Sequence, residues 1–194
     1  MQYYVLRHEG TADSLVDADV EFVPRLPEYY QVGKKFSLAE TRVKLKLDKR
    51  VKKLKADFFL ATCGAFFVSE PLKEILSSHK VALDFLMVNS SYFNGSATEN
   101  RYFLAHAENK LICFDYLNSE YSGKPMILDR IANGELSTDY QVRGIKKLCI
   151  NEQEVKGLDF FFVDKIIWID PLISETVVNA ARDSGIRLNV EKIC

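Results

Sequence analysis

One order of apolar and polar positions occurs twice along the chain. In each copy an apolar run leads to a Ser-Glu pair, at Ser69-Glu70 and at Ser174-Glu175. With Ser69 aligned on Ser174 and no gap, the following apolar positions coincide: Leu72, Ile75 and Leu76 with Val177, Ala180 and Ala181, then Val81, Leu83 and Phe85 with Ile186, Leu188 and Val190. The first spacing is that of a helix face and the second is that of a strand face. Each copy therefore predicts a strand, a helix of about three turns and a second strand.

Both predicted helices carry start and stop signals. A serine hydroxyl is a favoured N-cap, and the glutamate after it interacts favourably with the helix dipole. Pro71 is tolerated because a first-turn N–H needs no helical partner. The helices are predicted to end near His79 and at Gly185, where glycine can take the left-handed conformation.

Alternating and aromatic-rich stretches predict the rest of the fold. The predicted elements are strands at 2–8, 43–47 and 148–150, a buried element at 57–68, a hairpin of 101–107 with 111–116, apolar runs within 158–169, and a loop or short helix at 10–19. The helical segments are too few to alternate with every strand. The sequence therefore predicts an α+β fold, with mostly antiparallel sheet, a few short helices and two similar strand-helix-strand units.

The composition is that of a globular protein. The chain has 194 residues, of which 47% are apolar and 27% charged, and this size supports a core without metal or disulfide. We predict a single domain over 1–194, with 56–194 as its better-defined core and 1–55 as an N-terminal part of unassigned role. The start lacks a secretory signal and no long apolar segment occurs, which predicts a cytoplasmic protein. Cys63, Cys113, Cys149 and Cys194 are far apart in the sequence and are predicted to be structural thiols.

Charge is unevenly distributed although the net charge is only −1. Between Lys34 and Asp57 ten basic residues face three acidic ones, so this segment carries about +7. Such a segment could follow a phosphate backbone, and a nucleic-acid-binding module using residues 34–55 is therefore an alternative function. A lysine-lined outer strand that resists aggregation explains the same pattern.

One conceivable catalytic set lies in the predicted hairpin, where His106 would face Cys113 and Asp115. Cys113 sits among apolar residues without an oxyanion-forming glycine turn. No histidine pair has metal-ligand spacing, and phosphate-binding, dinucleotide-binding and nucleophile-elbow motifs are missing from the sequence. We therefore expect a protein that is not an enzyme and has no catalytic residue, cofactor or metal.

Aromatic residues in loops are the candidates for a partner interface, because they expose contact area at low entropic cost. Tyr29-Tyr30 follow Pro27, and Tyr92-Phe93 precede an Asn-Gly turn. The predicted partner-binding residues are Tyr29, Tyr30, Tyr92, Phe93, Asn94 and Tyr121.

The order of several motifs resembles a family of bacterial immunity proteins from polymorphic toxin systems, immunity protein family eleven. The motifs are the strand and Ser-Glu helix at 66–76, the run Asp115 to Ser119, the apolar runs at 160–162 and 166–169, and the helix from Ser174 to Gly185. The resemblance covers about residues 55–192 and implies that Ser69, Asp115, Ser119, Ser174 and Gly185 support the scaffold. It further implies a cytosolic, non-enzymatic protein that binds and neutralises a cognate toxin or effector. The net charge of −1 gives no general attraction to nucleic acid or to an anionic membrane, so we expect no membrane partner and do not expect nucleic acid as the main partner.

Overall fold

The computed structural model describes residues 1–8, 15–137 and 140–194, which form ten strands and four α-helices. In chain order these are β1 (Tyr3–Leu6), β2 (Ala18–Val23), β3 (Arg42–Leu47), β4 (Phe58–Leu60), β5 (Phe66–Ser69), α1 (Glu70–Ser77), β6 (Asp84–Ser91), β7 (Tyr102–His106), α2 (Lys124–Ala132), α3 (Glu152–Val155), β8 (Phe160–Phe161), β9 (Leu172–Ser174), α4 (Glu175–Asp183) and β10 (Val190–Lys192). A short 3-10 helix spans Leu38–Glu40.

The strands form two sheets. The larger sheet has the order β2-β3-β6-β7-β5-β4 and the smaller sheet has the order β10-β1-β9-β8. The β3–β6 pair is parallel, and the other strand pairs are antiparallel. The predicted α+β class with dominant antiparallel sheet is confirmed.

The predicted repeat is present as two units of the same construction. One unit contains β4, β5, α1 and β6, and the other contains β8, β9, α4 and β10. Ser69 and Ser174 are both N-caps, and each hydroxyl lies 3.4 Å from the amide nitrogen three residues later. Each unit is completed by one more strand, β7 in the first and β1 in the second, so the sheet orders β4-β5-β7-β6 and β8-β9-β1-β10 correspond.

The similarity between the two units begins upstream of the repeat that was predicted from the sequence. An Asp-Phe-Phe run begins each unit, at Asp57 and at Asp159. The Ser69 hydroxyl donates to Asp57 at 2.5 Å, and the Ser174 hydroxyl donates to Asp159 at 2.6 Å. The same two serines also donate their backbone N–H to the aspartate carbonyls, at 2.9 Å in both units. A serine-aspartate lock thus joins the first strand of each unit to its helix start.

Within the described ranges, the core consists of three apolar clusters. The central cluster lies between the two units and combines α1 with α4; Leu72, Leu76, Val177 and Ala181 are fully buried in it. A second cluster lies beyond the smaller sheet, around Phe161 and Leu172. The third lies on the opposite face of the larger sheet and contains Val43, Leu45 and Leu47 of β3. This alternation on β3 confirms the strand predicted at 43–47.

Several predicted elements differ from the structure. The 101–116 hairpin is wrong: β7 pairs with β5 and β6, whereas Leu111 bridges to Val163 and Phe114 to Ile150. The strand after each repeat helix begins later than predicted, at Asp84 and Val190. Part of the predicted loop or helix at 10–19 lies outside the described residues, and its end belongs to β2.

The cysteines also differ from the prediction. Cys149 and Cys194 form a disulfide, with Cα atoms 5.2 Å apart, whereas Cys63 and Cys113 are free thiols. Because these two cysteines are 45 residues apart in sequence, only the fold brings them together. In the described parts of the chain, the helices are too short and too polar to cross a membrane.

Candidate functional site

The conceivable catalytic set is dispersed over the fold. His106 is fully buried in the third cluster, where the Tyr30 hydroxyl lies 3.1 Å from its Nδ1 atom. Cys113 is buried in the second cluster. Asp115 accepts hydrogen bonds at 3.0 Å from the amides of Leu117 and Asn118 and therefore stabilises a turn. The geometry that suggested a nucleophile depended on the hairpin that does not form.

The electrostatic environments agree with structural roles for these three residues. Burial raises the pKa of the Cys113 thiol to about 12, so the nucleophilic thiolate is scarce at neutral pH. Burial also lowers the pKa of His106, which favours its neutral form. For Asp115, burial favours a higher pKa, but hydrogen bonds from Asn118 and the Leu117 amide outweigh it and lower the pKa.

The candidate partner-binding residues occupy very different positions. Tyr29 is 93% exposed, Phe93 is 58% exposed, and Asn94 also lies at the surface. Tyr30 and Tyr121 are buried, and the Tyr121 hydroxyl donates to the Tyr116 carbonyl. Tyr92 is half-buried; its hydroxyl donates to Glu99 and accepts from the Leu54 amide.

An aromatic cluster beneath Tyr29 fixes the backbone that presents it. Tyr30 stacks on Phe22 of β2 with ring centroids 5.4 Å apart, and Phe36 packs against His106 at 4.6 Å. Because Tyr30 is held inside this cluster, its neighbour Tyr29 points to solvent. Such a supported, exposed tyrosine is a suitable interface anchor.

Next to Tyr29 a groove of about 1130 Å³ runs along β2, an edge strand of the larger sheet. It is lined by Val20–Val23, Arg25–Tyr30, Thr62 and Cys63. The alternation of Ala18, Val20 and Phe22 with Asp19 and Glu21 is a period-two strand signal, which the predicted loop or short helix at 10–19 did not take into account. The edge strand is therefore a candidate functional element that was missed.

Phe93 borders the other end of β2. A smaller cavity of about 240 Å³ is lined by Asp17–Asp19, Lys46–Asp48, Arg50, Thr62 and Phe93. The Lys46 ammonium lies 5.2 Å from the centre of the Phe93 ring, a cation–π contact. Thr62 borders both concave regions. We call the continuous area formed by Ala18–Val23, Tyr29, Thr62 and Phe93 the β2 surface.

The basic segment 34–55 is partly neutralised by acidic neighbours. With the other residues that the structure describes, it makes five ion pairs: Lys34–Glu28, Lys35–Glu108, Lys44–Glu21, Arg50–Asp17 and Arg50–Asp48. Lys52, Lys53 and Lys55 are exposed and make no ion pair with another described residue. Nucleic-acid binding by this segment stays a prediction.

Comparison with known proteins identifies the family. No curated protein matches the chain. The family model described as "Immunity protein family (Imm11)" matches residues 5–189. The match confirms the resemblance seen in residues 55–192 and extends it to the N-terminal segment that contains β2. Over nearly its whole length, this chain belongs to the Imm11 family of immunity proteins.

Proposed function

We propose that this protein acts in the cytosol by binding a cognate polymorphic toxin one to one and covering the toxin's active site. The observation that carries the proposal is the family match over residues 5–189. The separation of His106, Cys113 and Asp115 supports action by binding rather than by turnover. A complex of this kind buries roughly 800 Å² on each partner.

We further propose that the β2 surface is the toxin-binding face. It presents two exposed aromatic side chains, Tyr29 and Phe93, beside two concave regions. Asn94 contributes to the same face by shaping the loop after Phe93, because its side-chain oxygen accepts from the Ser96 amide and hydroxyl. Tyr30, Tyr92 and Tyr121 then act from within, by holding the backbone of neighbouring loops.

Co-expression with the toxin domain encoded by the adjacent gene tests the proposal. The wild-type chain is expected to restore growth and to co-purify with the toxin in a 1:1 complex. If it neither binds the toxin nor restores growth, the proposed function is wrong for that pair.

Paired variants test the binding face. Tyr29→Ala combined with Phe93→Ala is expected to weaken the complex by about 30-fold or more, the loss typical of an interface anchor. Ile112→Ala is the matched control, because Ile112 is 63% exposed but does not line either concave region of the β2 surface. Equal affinities for all of these proteins would place the toxin elsewhere on the molecule.

A further inference from the structure

The backbone of β2 has a defined outer side. The Asp48 amide donates to the Asp17 carbonyl at 3.0 Å, so Asp17 faces β3. Backbone groups of successive strand residues point to opposite sides, so those of Ala18, Val20 and Phe22 point away from β3. The Thr62 hydroxyl agrees with this direction. It donates to the Ala18 carbonyl at 2.9 Å, and Thr62 lies shortly after β4, whose Leu60 carbonyl accepts from the Val16 amide on the same side of the chain.

Two consecutive outward positions remain open. Among the residues that the structure describes, the N–H and C=O groups of Val20 and Phe22 meet no hydrogen-bond partner, and both residues line the groove of about 1130 Å³. An open strand edge is a template for another strand. The groove adds walls on which the side chains of such a strand can pack.

The two faces of this edge differ in chemistry. Val20 and Phe22 are half-buried toward the third core cluster, and Leu26 packs against the same cluster. The opposite face carries Asp19 and Glu21, both exposed. Glu21 pairs with Lys44 at 3.0 Å, whereas Asp19 has no ion-pair partner in the described parts of the chain. A strand added here would therefore place alternate side chains beside an apolar wall and beside carboxylates.

We propose that an extended toxin segment, with alternating apolar and basic residues, adds to β2 as a seventh strand of the larger sheet. This inference rests on the proposed function and names the chemistry of the partner at that face. About six extended residues would span the roughly 20 Å of β2. Backbone hydrogen bonds to Val20 and Phe22 would provide attachment, and the side-chain alternation would provide selectivity.

Charge disfavours a second copy of this chain as the occupant. Pairing β2 with β2 would bring the Asp19 and Glu21 side chains of two copies onto one face of the joined sheet. Like charges at opposed positions of neighbouring strands are destabilising. A basic strand would relieve this repulsion and supply Asp19 with a counter-charge.

A peptide experiment tests the site without the toxin. The probe is the acetylated, amidated hexapeptide Val-Lys-Val-Lys-Val-Lys, and the comparison peptide has Glu in place of Lys. NMR of the full chain is expected to show slower exchange of the Val20 and Phe22 amides, by about tenfold at saturation, with the lysine peptide only. Unchanged exchange of these two amides, or equal responses to both peptides, would overturn the inference.

Two variants of the chain separate recognition from folding. Val20→Pro removes an N–H that β3 does not use and is expected to abolish the protection of the remaining Phe22 amide by the lysine peptide, whereas Lys53→Pro in an exposed segment outside the strands serves as the control. Asp19→Lys with Glu21→Lys is expected to transfer the preference to the glutamate peptide, which a folding defect cannot do. If the charge-reversed variant still prefers the lysine peptide, the inference is wrong. It is also wrong if the wild-type chain is a dimer that the Val20→Pro substitution dissociates, because a second copy would then occupy β2.

The toxin complex distinguishes this inference from the proposed function. If the toxin binds and growth is restored while the Val20 and Phe22 amides stay unprotected, toxin recognition occurs elsewhere and the inference fails alone. If the lysine peptide binds at β2 but the toxin neither binds nor is neutralised, the proposed function fails and the strand-binding site stands.

Discussion

The two serine-aspartate locks predict unequal costs for the same substitution in the two repeat units. Ser174 is fully buried and joins the α4 N-terminus to Asp159, which is 9% exposed. Ser69 makes the corresponding bonds to α1 and Asp57, but Asp57 is half-buried. Water can therefore replace part of what Asp57 loses. Asp159 would keep the hydrogen bond from the Lys80 amide at 3.0 Å, but that bond goes to Oδ2, so its buried Oδ1 would lose the Ser174 donor.

The cost follows from two losses. Removing an N-cap hydroxyl costs about 1 kcal/mol. Leaving a buried acceptor without one partner costs about 1–3 kcal/mol more. Ser174→Ala should thus lower the free energy of unfolding by about 2–4 kcal/mol, and Ser69→Ala by about 1–2 kcal/mol because Asp57 remains hydrated. For a chain of this size the Ser174→Ala effect corresponds to a decrease in Tm of roughly 10 °C.

Urea unfolding followed by circular dichroism and by Trp168 fluorescence measures both values, with similar m-values as the condition for comparison. Ser184→Ala is the control, because Ser184 is exposed after α4 and its backbone forms the C-cap bonds. It should change stability by less than about 0.5 kcal/mol. A loss in Ser69→Ala equal to or greater than that in Ser174→Ala would refute the reasoning from burial.

The remaining predictions concern the disulfide, a buried histidine and an adjacent tyrosine pair. Cys194→Ser or a reductant should lower the free energy of unfolding by up to about 4 kcal/mol, because the disulfide no longer closes a loop in the unfolded chain. The control Cys63→Ser should respond to the reductant like the wild type. Identical melting curves of the wild type with and without reductant would contradict this prediction. Burial lowers the pKa of His106 in the folded state, so the unfolded chain binds a proton at this histidine more readily. The contribution of neutral His106 to the free energy of unfolding is therefore fully present above about pH 6.5. As the pH falls from there toward the folded-state pKa, the free energy of unfolding decreases by up to about 1.4 kcal/mol per pH unit. Urea titrations between pH 5 and 8 should show this dependence and its loss in His106→Gln; an equal slope in the variant would assign it to other groups. Tyr30→Ala should cost about 3 kcal/mol or more in thermal unfolding and Tyr29→Ala less than about 0.5 kcal/mol, and similar costs would contradict their opposite burial.

Local signals predicted the repeat well because its elements depend on nearby residues. A serine cap and apolar residues three and four positions apart define a helix without reference to distant parts of the chain. The predicted hairpin failed because alternation predicts a strand but not its partner. The chain from Leu111 to Phe114 finds its bridges at Val163 and Ile150 instead of at β7. Helix α2 was also missed, since its N-cap is Gly123, in the left-handed conformation, rather than a side-chain capping residue.

The candidate site was only partly accessible from the sequence. Proximity to turn signals suggested Tyr29 and Phe93 as surface aromatics, but the same rule selected Tyr30, which the cluster with Phe22 and Phe36 buries. Adjacent tyrosines are locally equivalent, and only the packing of distant elements decides which one faces solvent. The edge position of β2 depends likewise on the order of six strands, which local patterns do not specify.

The arrangement of β1 has a consequence for synthesis on the ribosome. Val5 pairs with Leu172 and Glu191, so β1 finds its neighbours only after well over a hundred further residues have been synthesised. The unit containing β4 to β7 can form earlier, while β1 must wait roughly 10–40 s at ordinary elongation rates. The proposed neutralisation of a toxin would therefore begin only after β10 has emerged, which favours producing this protein ahead of the toxin.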